Sequence, residues 1–150
     1  MKKLDNGIRC EIAAAGAADH KELSEVWERS VRATHHFLSE ADISFFRPLI
    51  LNGYLKNLRL CCVRTESRIA GFVGIEGTTI EMLFVDPEFM GRGIGRSLLG
   101  HAASGINLNY KKIINRYSQL YFSDTKTNIK AIITFDLKIT KSCDLLIDDN

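Results

Sequence analysis

Three glycines at alternate positions, Gly91, Gly93 and Gly95, separate an apolar run from a segment with helical spacing. Asp86 and Pro87 end the apolar run, because proline fixes its own φ angle and disfavours helical geometry at the residue before it. Glycines allow backbone N–H groups to turn towards an anion, and the N-terminus of the following helix adds partial positive charge. The segment therefore predicts a binding site for a pyrophosphate group.

The spacing of these glycines narrows the choice of ligand. A dinucleotide motif of the form G-x-G-x-x-G would need a glycine at position 96 or 98, where the chain has Arg96 and Leu98. No segment of the chain supplies the G-x-x-x-x-G-K-[ST] pattern of a phosphate-binding P-loop. Arg92 and Arg96 would add side-chain positive charge to the site.

The unit formed by residues 81–99, E-M-L-F-V-D-P followed by G-R-G-I-G and S-L-L, resembles the coenzyme A pyrophosphate motif of the GNAT superfamily of N-acetyltransferases. That motif usually reads [QR]-x-x-G-x-[GA], and Met90 stands where Gln or Arg is usual. The resemblance implies acetyl-CoA as the cosubstrate. The residues that it assigns to cofactor binding are Leu83, Phe84, Val85, Gly91, Arg92, Gly93, Ile94, Gly95, Arg96, Ser97 and Asn128.

A second signature, W-x-x-S-V-x-A-T-H-x-F-L at residues 27–38, is similar to a run found in small bacterial GNAT proteins. In that superfamily this helix end and the loop after it help to form the acceptor side of the active site. The resemblance therefore implies that Thr34, His36 and Phe37 contact the acceptor. The alternative is that Thr34 and one histidine only close the C-terminus of the helix, where a positive charge is favoured.

The implied reaction moves an acetyl group from acetyl-CoA to a primary amine, by direct attack on the thioester. An amine with a pKa near 10 is protonated at pH 7, so a base must first remove a proton. Glu81 is the favoured base, because GNAT enzymes commonly place an acid acting through water in this strand; His35 is the competing base. The alternative for Glu81 is a carboxylate on the strand surface.

Phe135 falls where the superfamily usually has the tyrosine that protonates the leaving thiolate. Tyr117, Tyr121 and water remain open as proton donors. Phe135 and Met90 also motivate an alternative function, a catalytically impaired acyl-CoA-binding protein of the same fold. A third possibility is a structural domain in which the glycines form only a turn.

The elements that must position these residues follow from the apolar patterns. Strands are expected at residues 8–13, 58–64, 69–76 and 79–85, the last three as an antiparallel meander. One helix follows Asp19, which with Glu22 has capping-box spacing, and a second follows the similar pair Ser39 and Asp42. A third helix, at residues 94–103, should cross over to a parallel strand.

Together these elements predict an α/β fold, with a GNAT-like mixed and mainly antiparallel central sheet flanked by helices. Splayed strands would form the acyl-CoA slot. In the second helix Phe45, Phe46 and Tyr54 are candidates either for an acceptor pocket or for the core. The resemblance covers residues 8–104, and residues 105–150 form an atypical C-terminal segment.

Composition favours a single domain over residues 1–150, because 45% apolar and 25% charged residues are ordinary for a globular protein. A net charge of +2 without a basic run argues against nucleic acid, and no apolar run is long enough to span a membrane. Cys10, Cys61, Cys62 and Cys143 lack metal-ligand spacing, so no metal site is expected. We expect a cytoplasmic bacterial protein, a monomer or homodimer, with a small-molecule or protein amine as acceptor.

Overall fold

The computed structural model describes residues 2–3, 7, 9–36, 38–77 and 79–105. Five strands of this part of the chain form one antiparallel sheet in sequence order. They are β1 (Lys2–Lys3), β2 (Arg9–Ala15), β3 (Arg59–Arg64), β4 (Ile69–Glu76) and β5 (Thr79–Val85). The predicted meander of the last three strands is confirmed, with β3 beginning one residue later than expected.

Helices cover both faces of this sheet. α1 (His20–Thr34) and α2 (Glu40–Asn52) share a core with Phe72 of β4, whereas α3 (Ile94–Gly105) shares another core with the next residue, Val73. Because successive side chains of a strand point to opposite faces, α3 lies on the face opposite α1 and α2. The predicted mixed α/β architecture is thereby confirmed. Among the described residues, no helix is long and apolar enough to cross a membrane.

Two bulges interrupt the regular pairing of the central strands. Between β4 and β5, Ile75 pairs with Ile80 and Gly74 pairs with Met82, so Glu81 is the additional residue of β5. Between β3 and β4 the register shifts in the same way, and Ala70 is the additional residue. A bulge lets two neighbouring side chains leave the strand on the same side. This matters most at Glu81, the candidate base.

The start of α2 agrees with the sequence. Ser39 Oγ accepts a hydrogen bond from the Asp42 N–H at 3.1 Å, and Asp42 Oδ2 accepts one from the Ser39 N–H at 2.8 Å. Such a reciprocal pair satisfies two amides at a helix N-terminus. The prediction of an N-cap at Ser39, with Asp42 in the first turn of α2, is confirmed, and the two residues form a full capping box.

The similar prediction for α1 is wrong. Asp19 caps no amide of α1; its carboxylate accepts from the Gly16 N–H at 2.9 Å and pairs with Arg64 at 2.7 Å. Glu22 instead accepts from the backbone N–H of Ile69 in β4, at 2.7 Å. A 3-10 turn, Ala17–Asp19, runs directly into α1, so Asp19 already has helical backbone geometry and cannot fold back as an N-cap.

α2 ends earlier than the apolar spacing predicts. It contains Pro48, stops at Asn52 and is followed by a 3-10 turn, Tyr54–Asn57. A Cβ at Gly53 would lie 2.9 Å from the carbonyl oxygen of Leu49, so a side chain there would force this turn to shift. The third helix reaches Gly105, two residues beyond its predicted end. The predicted crossover strand lies outside the described residues.

Candidate active site

Asp86, directly after β5, is the fixed point from which the glycine loop starts. Its side chain is 1% exposed and accepts from Arg29 Nε of α1 at 2.7 Å and from the Glu88 N–H at 3.1 Å. Its backbone N–H donates to the carbonyl oxygen of Ala70, and its carbonyl oxygen accepts from the Phe89 N–H, both at 2.8 Å. These bonds tie the loop to α1 and β4 at once.

Two of the three glycines have backbone angles that favour glycine. Gly91 has a φ angle of +77° and Gly93 one of +84°, and a Cβ at either position would meet nothing within 4 Å. The loop therefore turns left-handed twice with open space beside it. Gly95 lies inside α3, where a Cβ would make an ordinary contact of 3.5 Å with Val85. Gly95 is thus not required by the turn itself.

α3 begins directly behind this turn. The Ser97 N–H donates to the carbonyl oxygen of Gly93 at 2.9 Å, which makes Gly93 the first residue of the helical ladder. The leading N–H groups of a helix have no acceptor within the helix and carry partial positive charge. Ile94, Leu98 and Leu99 bury the inner side of α3 in the core, so the direction of its N-terminus is fixed.

Cationic side chains surround the turn that precedes the glycines. The guanidinium carbon of Arg68 lies 5.0 Å from the centre of the Phe89 ring, and that of Arg92 lies 5.6 Å from the same ring. Arg68 also forms an ion pair with Glu88. Two arginines thus contact one aromatic ring, that of Phe89, two residues before Gly91, and Arg92 places positive charge in the loop itself.

On the other face of the sheet, the bulge of β5 opens into a cleft of about 370 Å³. Glu81 and its neighbour Met82 both line it, as two successive residues of a bulge can. The other lining residues come from the end of α2, the segment after it and the end of β4: Ile50, Tyr54, Asn57, Leu58 and Glu76. The lining of the cleft therefore combines apolar side chains with two carboxylates.

Burial raises the pKa of the Glu81 carboxyl above its usual value, and the nearby charge of Glu76 raises it further. Removing a carboxylate from water disfavours its charged form, and a like charge acts in the same direction. A carboxylate with a raised pKa is a stronger proton acceptor than an ordinary carboxylate. Glu81 thus has the properties of a general base.

His35 has a different environment at the end of α1. It is 8% exposed, and burial, with a smaller contribution from the charge of His36, lowers its pKa to about 4. The Thr34 hydroxyl donates to the carbonyl oxygen of Ser30 at 2.7 Å, so its 2.7 Å contact with His35 Nδ1 requires a proton on Nδ1. His35 is neutral at pH 7, and its backbone N–H donates to Val31.

The structure thus brings together the loop residues, whereas the described acceptor candidates form two groups, one at the end of α1 and the other on α2 and the turn after it. Thr34 and His35 close the end of α1, but His35 is neutral there, so it does not supply the positive charge that the alternative expects. His36 is exposed, and contact of Thr34 and His36 with the acceptor stays a prediction. Phe46 is a core residue, Phe45 is 64% exposed and Tyr54 lines the cleft. Four candidates of the sequence analysis lie outside the described residues, namely Phe37, Tyr117, Tyr121 and Asn128, and so does Phe135, which stands where the family's tyrosine is usual.

Sequence reasoning does not identify three residues of the site, which are Asp86, its partner Arg29 and Glu76. Asp86 and Pro87 predict only the end of a strand, and nothing in the local sequence indicates that Asp86 pairs with Arg29, 57 residues away. Nor does the local sequence around Glu76 indicate that it shares a cleft with Glu81. A short hairpin between two strands was the available signal, because it brings residues before and after the turn together.

Comparison with known proteins places this geometry in a family. Residues 56–135 match the family model described as the acetyltransferase (GNAT) domain. Peptidyl-lysine N-acetyltransferase YjaB of Salmonella typhimurium is 34% identical over 92 residues, which cover 59% of this chain. The match spans 63% of that relative, slightly less than two thirds of its length. YjaB of Escherichia coli is 30% identical over 112 residues, which cover 70% of this chain and 76% of the relative.

Solved structures give the same result. The solution structure of apo-form YjaB from Escherichia coli superposes with a TM-score of 0.63 and 28% identity, covering 74% of this chain and 80% of that one. The PaiA N-acetyltransferase of Thermoplasma acidophilum, solved in complex with coenzyme A, has a TM-score of 0.55 and 21% identity. That match covers 67% of this chain and 73% of the other, and it supports the shared fold.

Proposed function

This chain belongs to the GNAT family of acetyltransferases, and from that membership we propose that it transfers an acetyl group from acetyl-CoA to a primary amine. We further propose that the amine is a lysine side chain, since two relatives are named peptidyl-lysine N-acetyltransferases. The observation that carries the proposal is the position of Glu81. It lies half-buried in an acidic cleft, on the strand that leads into the glycine loop.

The loop and the strand before it are proposed to hold the cosubstrate. The left-handed turns at Gly91 and Gly93 leave open space where any other residue would place a side chain, and the helix N-terminus lies directly behind them. Backbone N–H groups there would bind the pyrophosphate, with Arg92 and Arg96 adding charge. The backbone of β5 at residues 83–85 would hydrogen-bond the pantetheine arm as an added strand does.

The chemistry requires one proton to leave the acceptor before a bond forms. Glu81 takes this proton, directly or through a water molecule, and the neutral amine nitrogen then attacks the thioester carbonyl carbon. A carbon–nitrogen bond forms and the carbon–sulfur bond breaks. The nitrogen then loses its second proton, which balances the proton that the leaving thiolate takes up to become the free thiol of CoA. Glu81 is favoured over His35 because its raised pKa strengthens it as a base, whereas the lowered pKa of His35 weakens that residue.

Replacement of Glu81 by glutamine tests this assignment. We expect Glu81→Gln to lower kcat roughly 10²–10⁴-fold, the usual contribution of a general base, with the Kd for acetyl-CoA unchanged. Wild-type activity should fall as the pH drops through the raised pKa of Glu81, because only its ionised form accepts the proton. The measurements are release of free CoA with a lysine peptide and calorimetric titration with acetyl-CoA.

Glu25→Gln is the matched control, since Glu25 is an exposed carboxylate on α1. Normal turnover in Glu81→Gln would contradict the role of Glu81. A wild-type chain that binds acetyl-CoA but acetylates no amine at any pH would support the alternative, an acyl-CoA-binding protein without activity.

We also propose a cytoplasmic location, consistent with the free thiols of Cys10, Cys61 and Cys62.

A further inference from the structure

We propose that Glu76 makes the cleft select acceptors that carry a second positive charge beside the reacting amine. This inference rests on the proposed function and specifies its substrate class. The second charge can belong to a basic residue next to the target lysine or to the other end of a diamine. In both cases the chemistry is the same, a cation that stays bound after the reacting amine has lost its own charge.

Glu76 and Glu81 lie on neighbouring strands at the closed end of the β4–β5 hairpin. Glu76 pairs with Thr79, two residues before Glu81 in β5. Strand geometry separates their Cα atoms by roughly 8 Å, close enough for two parts of one small acceptor to reach both carboxylates. Both side chains line the same cleft.

The two carboxylates differ in depth. Glu76 is exposed, whereas Glu81 is half-buried, so Glu76 marks the mouth of the cleft and Glu81 its interior. None of the described residues that line the cleft is basic, and neither carboxylate belongs to an ion pair within the described ranges. Tyr54 is the other titratable residue of the lining. The cleft therefore attracts cations more strongly than one carboxylate would.

Proton transfer decides which acceptors profit from this second carboxylate. When Glu81 accepts a proton, its own charge and that of the reacting amine disappear together. Glu76 keeps its charge, and an acceptor with a second cation stays attracted to it while the neutral amine attacks. An acceptor with a single charge loses this attraction. The same carboxylate raises the pKa of Glu81, which supports its proximity to the base.

The test compares matched acceptors with the full chain. One pair consists of two peptides that are identical except for Arg or Gln beside the lysine, and the other of 1,5-diaminopentane and 1-aminopentane. We expect kcat/KM to be roughly 10-fold higher for the acceptor with the second charge, as one partly solvated charge pair provides. Glu76→Gln should reduce that ratio to near one, and Glu25→Gln should leave it unchanged.

Two further readouts separate this role from a structural one. In Glu76→Gln the acid limb of the kcat profile should shift to lower pH, because the pKa of Glu81 falls when its charged neighbour is removed. In the wild type the preference should shrink as salt is added. A preference in one acceptor pair alone supports the proposal and identifies the source of the charge.

The outcomes distinguish this inference from the function on which it rests. Acetylation of all four acceptors at similar rates, or a preference that survives Glu76→Gln, overturns the role of Glu76 and leaves the acetyltransferase proposal intact. If acetyl-CoA binds but no free CoA forms with any of the four acceptors, the proposed function has failed. The inference about Glu76 then fails with it.

Discussion

The glycine loop after β5 and the acidic cleft at the start of β5 are joined by one strand but are built in different ways. The loop uses the backbone of consecutive residues, and its shape depends on two left-handed glycines. The cleft uses side chains from α2, the segment after it, β4 and β5, gathered by a bulge. We infer that the loop recognises a group common to the family and that the cleft is free to determine the acceptor.

The largest expected effect is on the loop. Gly93→Asp places a carboxylate where the pyrophosphate would bind, and like charges brought together cost several kcal/mol. We expect the affinity for acetyl-CoA to fall at least 1,000-fold by calorimetry. Open space around Gly93 means that the new side chain meets no clash.

Gly93→Ala is the control that separates charge from strain. A φ angle of +84° costs a residue with a Cβ about 1–2 kcal/mol in stability, without adding a charge. The melting temperature of Gly93→Ala should therefore fall, as that of Gly93→Asp does, but Gly93→Ala should keep most of its affinity for acetyl-CoA. Binding of acetyl-CoA to Gly93→Asp at normal strength would show that the loop is only a turn.

The same contrast explains what could be predicted from the sequence. The loop could be predicted from the sequence because its strand, proline, glycines and helix follow one another along the chain. Each of these parts has characteristic residue types. The cleft could not be predicted from the sequence, because Ile50, Glu76 and Glu81 meet only through tertiary packing and through a bulge that inserts one residue into β5. Glu81 was identified by resemblance to a family, not by its surroundings.

Helix ends show this difference on a smaller scale. The pair Ser39 and Asp42 caps α2 as its spacing predicts, but the equally spaced Asp19 and Glu22 bind Arg64 and Ile69 instead. Spacing identifies groups able to form a capping box. It does not reveal that a strand amide and an arginine from distant parts of the chain will compete for them.

The next largest expected effect concerns the ion pair between Arg29 and Asp86, which connects α1 to the start of the loop. Arg29→Ala leaves the carboxylate of Asp86 buried without its guanidinium partner, which we expect to lower the free energy of unfolding by about 3 kcal/mol. Urea titration measures this change. Arg47→Ala, which removes a solvent-exposed ion pair with Glu28, should cost less than about 1 kcal/mol. Equal losses in both variants would mean that Asp86 does not depend on Arg29.

The smallest expected effect is the pH dependence of folding stability that His35, at the end of α1, causes. The pKa of His35 is lowered from 6.5 to about 4 in the folded chain. Between these values the unfolded chain binds more protons, so stability is complete above pH 6.5 and is lost as the pH falls towards 4. Integration of this difference predicts a loss of about 2 kcal/mol between pH 7 and pH 5.

Urea unfolding at both pH values checks this prediction in the wild type, in His35→Gln and in His101→Gln. Glutamine cannot take up the proton, so His35→Gln should lose most of the acid-dependent difference, although its stability at pH 7 will also be lower. His101 is exposed on α3, and its replacement should leave the difference intact. If His35→Gln shows the full wild-type loss of stability, another group causes the acid sensitivity. In that case nothing shows that His35 is held neutral, and the reason for ranking it below Glu81 as a base is lost.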